Sequence, residues 1–213
     1  MTAGATDPVL HLTRFKNLQG LDFFELDVTL ALFTEKMKTA KVYPTRDAMP
    51  LISGASFGQL LSATGKSYRH DDNVLSLFAE VGDVDHPQGL TIEGAHENLV
   101  LAGVAHMVYP SANHRKVGPR NPLGEDRYRT VLPLSRPIHP DEKQALTDLH
   151  NELVGGVLAA ESWKLSQAYF LGRVLGTQDK DWFVAHGGGV CLDVLLERKL
   201  SRPLKDGSAS TST

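Results

Sequence analysis

The sequence predicts an α+β fold, with helices against one face of a largely antiparallel sheet. Three observations carry that expectation. Apolar runs follow the order strand, helix, strand, strand, helix, strand along the chain. Residues 127–134, RYRTVLPL, alternate basic and apolar side chains, as a half-buried strand does. After Pro140, DEKQALTDLHNELVGGVL places Leu146, Leu149 and Leu153 on one face of an amphipathic helix. A split βαβ arrangement would produce the same order.

The elements follow in order. Residues 27–40 place Val28, Leu32 and Met37 near helical spacing, with Asp27 as a candidate N-cap. The next segment, VYPTRDAMPLISGASFG, is broken by two prolines and two glycines and reads mostly as loop. Residues 74–82 read as a buried strand, ended by DHPQG. Thr91 caps a helix with Glu93 in its first turn and Gly103 as its stop. Val104–Tyr109 is a short apolar strand, residues 168–174 and 183–185 are candidate strands, and 191–199 is a short helix. No internal repeat or heptad pattern is found.

The chain has 213 residues, 41% apolar and 22% charged, enough to bury a core without staples. Residues 1–204 are expected to form a single domain, and the small polar tail 205–213 to be disordered. No run approaches the roughly 18 apolar residues of a membrane span. The N-terminal MTAGATDPVLHLTRF lacks an apolar stretch behind a basic start, so no secretory signal is read there. The single Cys191 excludes an intramolecular disulfide and a multi-cysteine zinc site, and a cytoplasmic location is expected.

Net charge is −3, so whole-surface nucleic-acid coating is not expected. A local stripe is more informative: Arg115, Lys116, Arg120, Arg127, Arg129 and Arg136 lie between His114 and Arg136. Such a stripe suits a phosphate-bearing ligand, and is also what a solvated arginine-rich loop looks like.

Four motifs can carry chemistry. Asp83 and Asp85, two apart on an extended strand, point to one face. Their mutual repulsion favours a bound cation, and oxygen ligands suit Mg²⁺ or Mn²⁺. On this reading, removing either acid relieves repulsion and slightly stabilises the metal-free protein. His114, in Tyr-Pro-Ser-Ala-Asn-His just past a strand, can donate to a phosphate or act as acid or base. Arg127 and Arg129 share a strand face, and each can fork onto phosphate oxygens. Glu161, in Glu-Ser-Trp-Lys-Leu-Ser-Gln, precedes an apolar strand and can be a third metal ligand. Asp126 is the alternative for that role. Each motif also has a plain reading, as loop acids, a packing histidine or an exposed strand face.

Taken together, Arg-His-Asp-Asp-Asn-Val at 69–74, Asp83-Val-Asp85, residues 109–114, residues 127–135 and residues 161–170 stand in an order that resembles the archaeo-eukaryotic primase superfamily. The likeness is to primase or primase-polymerase domains of plasmids and prophages, and runs from about Arg46 to Asp193. It implies an RNA-recognition-like sheet with an additional α/β module. It also implies nucleotidyl transfer with two divalent ions, Mg²⁺ or Mn²⁺, held by Asp83, Asp85 and Glu161. Catalytic roles fall on Asp83, Asp85 and His114. Nucleotide contacts fall on His114, Arg127, Arg129, Ser166 and Gln167, and Arg115, Lys116 and Arg120 are assigned to DNA. The implied partners are a single-stranded DNA template and an NTP or dNTP, with a replicative helicase as a candidate. This chain departs from the usual pattern at Val84, where relatives carry an aromatic residue, and at Ala112, where they carry serine.

Two other classes compete. A replication-initiation nuclease needs two histidines flanking one residue, and no His-x-His occurs. The other is a non-catalytic nucleic-acid-binding replication initiator module, against which the Asp83/Asp85 pair argues.

Overall fold

The computed structural model describes residues 7–201. The chain begins with β1 (Val9–Phe15) and β2 (Phe23–Thr29), paired antiparallel with Leu10 opposite Val28 and Leu12 opposite Leu26. These two strands lay outside the sequence reading. Helix α1 (Leu30–Lys38) follows at once, capped by Thr29, whose Oγ1 accepts the Leu32 N–H at 3.3 Å. The expected cap Asp27 lies in β2 instead, because strand pairing with β1 claims the first three residues of the expected helix.

The expected loop 42–58 holds three short strands: β3 (Val42–Tyr43), β4 (Leu51–Ser53) and β5 (Ala55–Phe57). Prolines and glycines interrupt it without preventing short pairings. At Gly54 the chain passes from one sheet to another: β4 pairs with β1, and β5 with β6 (Val74–Val84). A Cβ on Gly54 would lie 2.0 Å from the Ala79 carbonyl oxygen, so the crossing needs glycine.

Helix α2 (Ile92–Leu101) is capped by Thr91, whose Oγ1 accepts the Gly94 N–H at 3.1 Å, as the sequence predicts. Then come β7 (His106–Pro110), β8 (Tyr128–Ile138) and α3 (Lys143–Leu153). The expected strand 168–174 is split by Leu171 and Gly172 into β9 (Tyr169–Phe170) and β10 (Arg173–Val174). Last are β11 (Ala185–Gly187) and α4 (Leu192–Leu200). The expected tail 205–213 lies outside the described residues.

One sheet is ordered β11-β7-β8-β6-β5 and is antiparallel throughout; a second is β2-β1-β4-β9, also antiparallel, and β10 pairs parallel with β3. The α+β class with a largely antiparallel sheet is therefore what the chain forms.

The larger sheet is covered on both faces. Val84, Val108 and Leu132 pack with Ile92 and Leu99 of α2, Leu146 and Leu149 of α3, and Leu192 of α4. Ala79, Val81, Met107 and Val131 face the other way, toward Leu10, Leu12 and Ile52 of the second sheet and Phe33 and Met37 of α1. The expectation of helices on one face holds for α2, α3 and α4. The other face carries α1 and a second sheet, because the β1–β2 hairpin supplies an apolar surface that must be buried.

Between the larger sheet and α3 lies a buried polar network. Glu80 accepts from Lys143 Nζ at 2.7 Å and from Thr147 Oγ1 at 2.9 Å, and His150 Nε2 lies 2.6 Å from Thr130 Oγ1. Burial pushes the Glu80 carboxyl up, but the Lys143 charge and its hydrogen bonds hold it below the usual range.

Candidate active site

Three adjacent strands present one row of side chains. In register, Asp83 of β6 stands opposite Arg129 of β8, which stands opposite Tyr109 of β7. The row lies on the face turned toward β9, at the end where β6 leaves the sheet. His86-Pro87 stops the strand, and a turn closes with the Leu90 N–H on the Pro87 carbonyl at 2.8 Å. Asp85 is left one residue beyond the last ladder position, on the same side as Asp83.

Glu161 reaches these acids by a route the sequence did not predict. It sits on a 3₁₀ turn, Ala160–Trp163, ahead of the strand β9. Backbone bonds tie this turn to β6: the Ala159 N–H donates to the Asp83 carbonyl at 2.8 Å, and the Asp83 N–H donates to Ser162 Oγ at 3.1 Å. Carboxylate oxygens of Asp83, Asp85 and Glu161 all come within 4.8 Å of one another. The alternative acid, Asp126, is elsewhere: it accepts the Ile92 N–H at 2.9 Å and Arg115 Nε at 2.6 Å, capping α2. Burial raises its carboxyl, but these bonds hold it below the ordinary range.

The acids open into a cavity of about 440 Å³ that four arginines also line: Arg46, Arg120, Arg127 and Arg129. That volume falls in the range of small-molecule sites, about 300–1,000 Å³. Arg129 Nε lies 2.9 Å from Asp83 Oδ1 in an ion pair, and Arg129 Nη1 donates to the Phe170 carbonyl at 2.8 Å. The guanidinium carbon is 5.9 and 5.5 Å from the rings of Tyr109 and Tyr169. Arg127 Nη1 lies 3.4 Å from Asp85 Oδ1.

Asp83 is 7% exposed. Burial raises its carboxyl above the usual range; Arg129 works against this, and the charges of Asp85 and Glu161 add to it. Three crowded carboxylates, one of them short of compensation, are a donor set that hard divalent cations fit.

Arg46 was missed by sequence reasoning. It lies on the turn Arg46–Ala48, with its guanidinium 4.4 Å from the Phe170 ring centroid. Burial lowers its pKa, and the neighbouring charges of Arg120 and Arg129 lower it further. Crowded cations of this kind are an arrangement that an anion relieves. Its only signal was a basic residue in a proline-broken segment. Asn121 was missed too: buried, it donates to the carbonyls of Asn113 and Glu125 at 2.9 and 2.8 Å and so folds the basic loop.

The remaining residues separate. Gln167 lines the cavity. Lys116 and Arg120 line an adjoining groove that shares Arg46, Ala112 and Asn113 with it. Ser166 does not face the cavity: its N–H and hydroxyl donate to Asp71 Oδ1 at 2.9 and 2.5 Å. Arg115 is engaged by Asp126 and, at 3.3 Å, by Glu93. His114 is 5% exposed and does not line the cavity. Its Nδ1 accepts the Arg127 N–H at 3.1 Å, and its Nε2, buried without a partner, is 4.0 Å from Asp126. Burial lowers its pKa, with Asp126 opposing.

No family model matches the sequence, and no curated protein matches it. Among solved structures, the primase-polymerase (PrimPol) AEP domain of cyanophage S-2L is 9% identical with a TM-score of 0.42, over 90% of this chain and 88% of that one. The polymerase domain of Mycobacterium tuberculosis ligase D, in complex with DNA, is 11% identical with a TM-score of 0.36, over 91% and 82%. These are distant likenesses of shape, and the functional reading rests on the site's own residues. No helix among the described residues is long and apolar enough to cross a membrane.

Proposed function

We propose that this chain is a metal-dependent nucleotidyltransferase, a primase or primase-polymerase acting on single-stranded DNA. The supporting observation is the convergence of Asp83, Asp85 and Glu161 with four arginines in one cavity. Acids suited to divalent ions, beside guanidiniums suited to phosphate oxygens, are what transfer of a nucleotidyl group from a triphosphate requires.

On this reading the 3′-hydroxyl oxygen of a primer, or of a first nucleotide, bonds to the α-phosphorus of an NTP or dNTP. The bond to the β-phosphate oxygen breaks, pyrophosphate leaves, and the hydroxyl proton passes to solvent or a nearby base. Asp83, Asp85 and Glu161 would hold two divalent ions, Mg²⁺ or Mn²⁺. Such ions, when bound, lower the pKa of the attacking hydroxyl and neutralise the leaving oxygen. Arg46 and Arg127 line the cavity and would take triphosphate oxygens, with Gln167 beside them. Arg129, held by the Phe170 carbonyl and close to the rings of Tyr109 and Tyr169, would fix Asp83. His114 would orient the Arg127 backbone. Lys116 and Arg120, in the adjoining groove, would meet template phosphates. The plasmid or prophage setting and a helicase partner belong to the same reading and rest on the sequence resemblance alone.

The test is incubation with single-stranded DNA, Mn²⁺ or Mg²⁺ and labelled nucleotides, with and without a primer. Metal-dependent incorporation that Asp85→Asn abolishes is the expected result. DNA binding without incorporation under all these conditions would favour the non-catalytic initiator reading.

A further inference from the structure

A second groove, of about 250 Å³, opens on the smaller sheet, on the face that α1 covers only in part. In register, Arg14 of β1 stands opposite Phe24 of β2 and Ile52 of β4. Its floor is apolar, from residues such as Leu26, Phe33 and Leu171, and its charged lining residues are Arg14, Lys36 and Lys41, with no acid among them.

Two features set this groove apart from an ordinary gap in packing. None of the three cations has an ion-pair partner among the described residues. Two of them sit over aromatic rings: the Arg14 guanidinium is 5.8 Å from the Phe24 centroid and Lys41 Nζ is 5.1 Å from that of Tyr43. Phe24 is 44% exposed. An exposed ring and guanidinium plane offer a stacking surface for a base, while the ammonium groups offer partners for the flanking phosphates.

The groove is also placed along a basic path. Tyr43 lines it, and the next residues, Pro44 to Asp47, line the groove of Lys116 and Arg120. That groove in turn shares Arg46 and Arg120 with the acidic cavity. We infer that the Arg14/Phe24/Lys41/Tyr43 groove is a binding site for single-stranded nucleic acid, seating a base away from the acidic cavity and holding the strand that leads to it. Only the identity of that strand as the enzyme's template rests on the function proposed above. An acidic amphipathic peptide or an anionic lipid surface would match the charge, but neither makes use of the basic path that continues to the cavity.

The experiment measures fluorescence anisotropy of a labelled oligothymidylate with the full chain in EDTA. Phe24→Ala should weaken binding roughly tenfold or more, since one base loses its stacking partner. Lys36→Gln and Lys41→Gln should each reduce the salt dependence by about one phosphate contact. Phe24→Trp should bind like wild type, which separates a stacking role from a folding defect, and Mn²⁺ affinity by calorimetry should be unchanged in all variants. Oligothymidylate affinity unchanged by Phe24→Ala and Arg14→Gln would overturn the inference. So would variants that lose binding to an acidic amphipathic peptide or to phosphatidylglycerol vesicles while keeping the oligonucleotide. Failure of the two readings is distinguishable. A protein that binds through these residues but incorporates nothing refutes the polymerase reading and supports the groove; a protein that incorporates normally with unaltered binding in the variants does the reverse.

Discussion

Arg129 stands directly opposite Asp83 in the β6–β8 ladder, with its Nε 2.9 Å from Asp83 Oδ1, and both side chains are buried. This pairing reverses one sequence expectation. Asp83 and Asp85 considered alone repel, so loss of either should stabilise the metal-free protein. With Arg129 fixed beneath, removing Asp83 leaves a buried guanidinium charge without its counter-ion.

Asp83→Ala is therefore expected to lower stability by about 3 kcal/mol as well as abolish nucleotide incorporation. Asp85→Ala, at a less buried position, should abolish incorporation with little change in stability. Urea unfolding of the two variants without metal checks this, and a stabilised Asp83→Ala would mean that carboxylate repulsion outweighs the ion pair.

Ser162 is fully buried and accepts the Asp83 N–H. Ser162→Ala leaves that N–H unsatisfied, at about 1–3 kcal/mol, and loosens the turn that carries Glu161. Mn²⁺ affinity should fall about tenfold or more, as for other residues that orient ligands. Calorimetric titration with Mn²⁺ measures it, and Glu161→Gln should show a similar or larger loss.

Arg115 loses the DNA role that its sequence position implied, and Arg46, to which the sequence reading gave none, gains one in the cavity. Arg115→Gln breaks the Asp126 pairing at the start of α2, so it should lower the melting temperature and leave DNA affinity nearly unchanged. Arg46→Gln removes a cation from the cavity and should raise the KM for nucleotide about tenfold, a larger effect than its effect on DNA affinity, to which Arg46 contributes only as one residue of the adjoining groove. Nucleotide KM and DNA affinity for the two variants, measured together, test the division.

His106 sets a pH dependence. It is fully buried, its Nδ1 lies 2.8 Å from the Val104 carbonyl and its Nε2 lies 2.9 Å from His96 Nδ1. Burial drives its pKa down to about 4, with the Val104 hydrogen bond opposing. A folded value below the unfolded one, about 6.5, means the unfolded chain binds the extra proton in this window. Stability is thus intact above pH 6.5 and declines as pH falls toward 4, by at most about 3 kcal/mol. Unfolding free energies of wild type and His106→Gln across that range should converge as pH falls; parallel curves would rule out His106 as the source.

Local pattern made much of this protein legible. The apolar run 74–82, the alternation in RYRTVLPL, the Thr91 cap and the Leu146/Leu149 face each report a single element, and each formed. Asp83 and Asp85 could be paired in advance because a strand puts alternate residues on one side. What local pattern cannot carry is which segment a strand meets. Asp27 looked like a helix cap until pairing with β1 drew it into β2, and residues 51–57 looked like loop until Gly54 let one short segment serve two sheets. The same limit applies to the site. Glu161 joins the two aspartates through a turn held by a hydrogen bond between residues 79 positions apart, from the Asp83 N–H to the Ser162 hydroxyl. Arg46 joins it from a turn whose only signal was its charge, while Arg115 and Asp126, of opposite charge, are turned toward each other. The amino-acid sequence determined which residues have the chemistry; the tertiary structure decided which of them share a cavity, because burial makes every unpaired charge costly and so selects the partners it keeps.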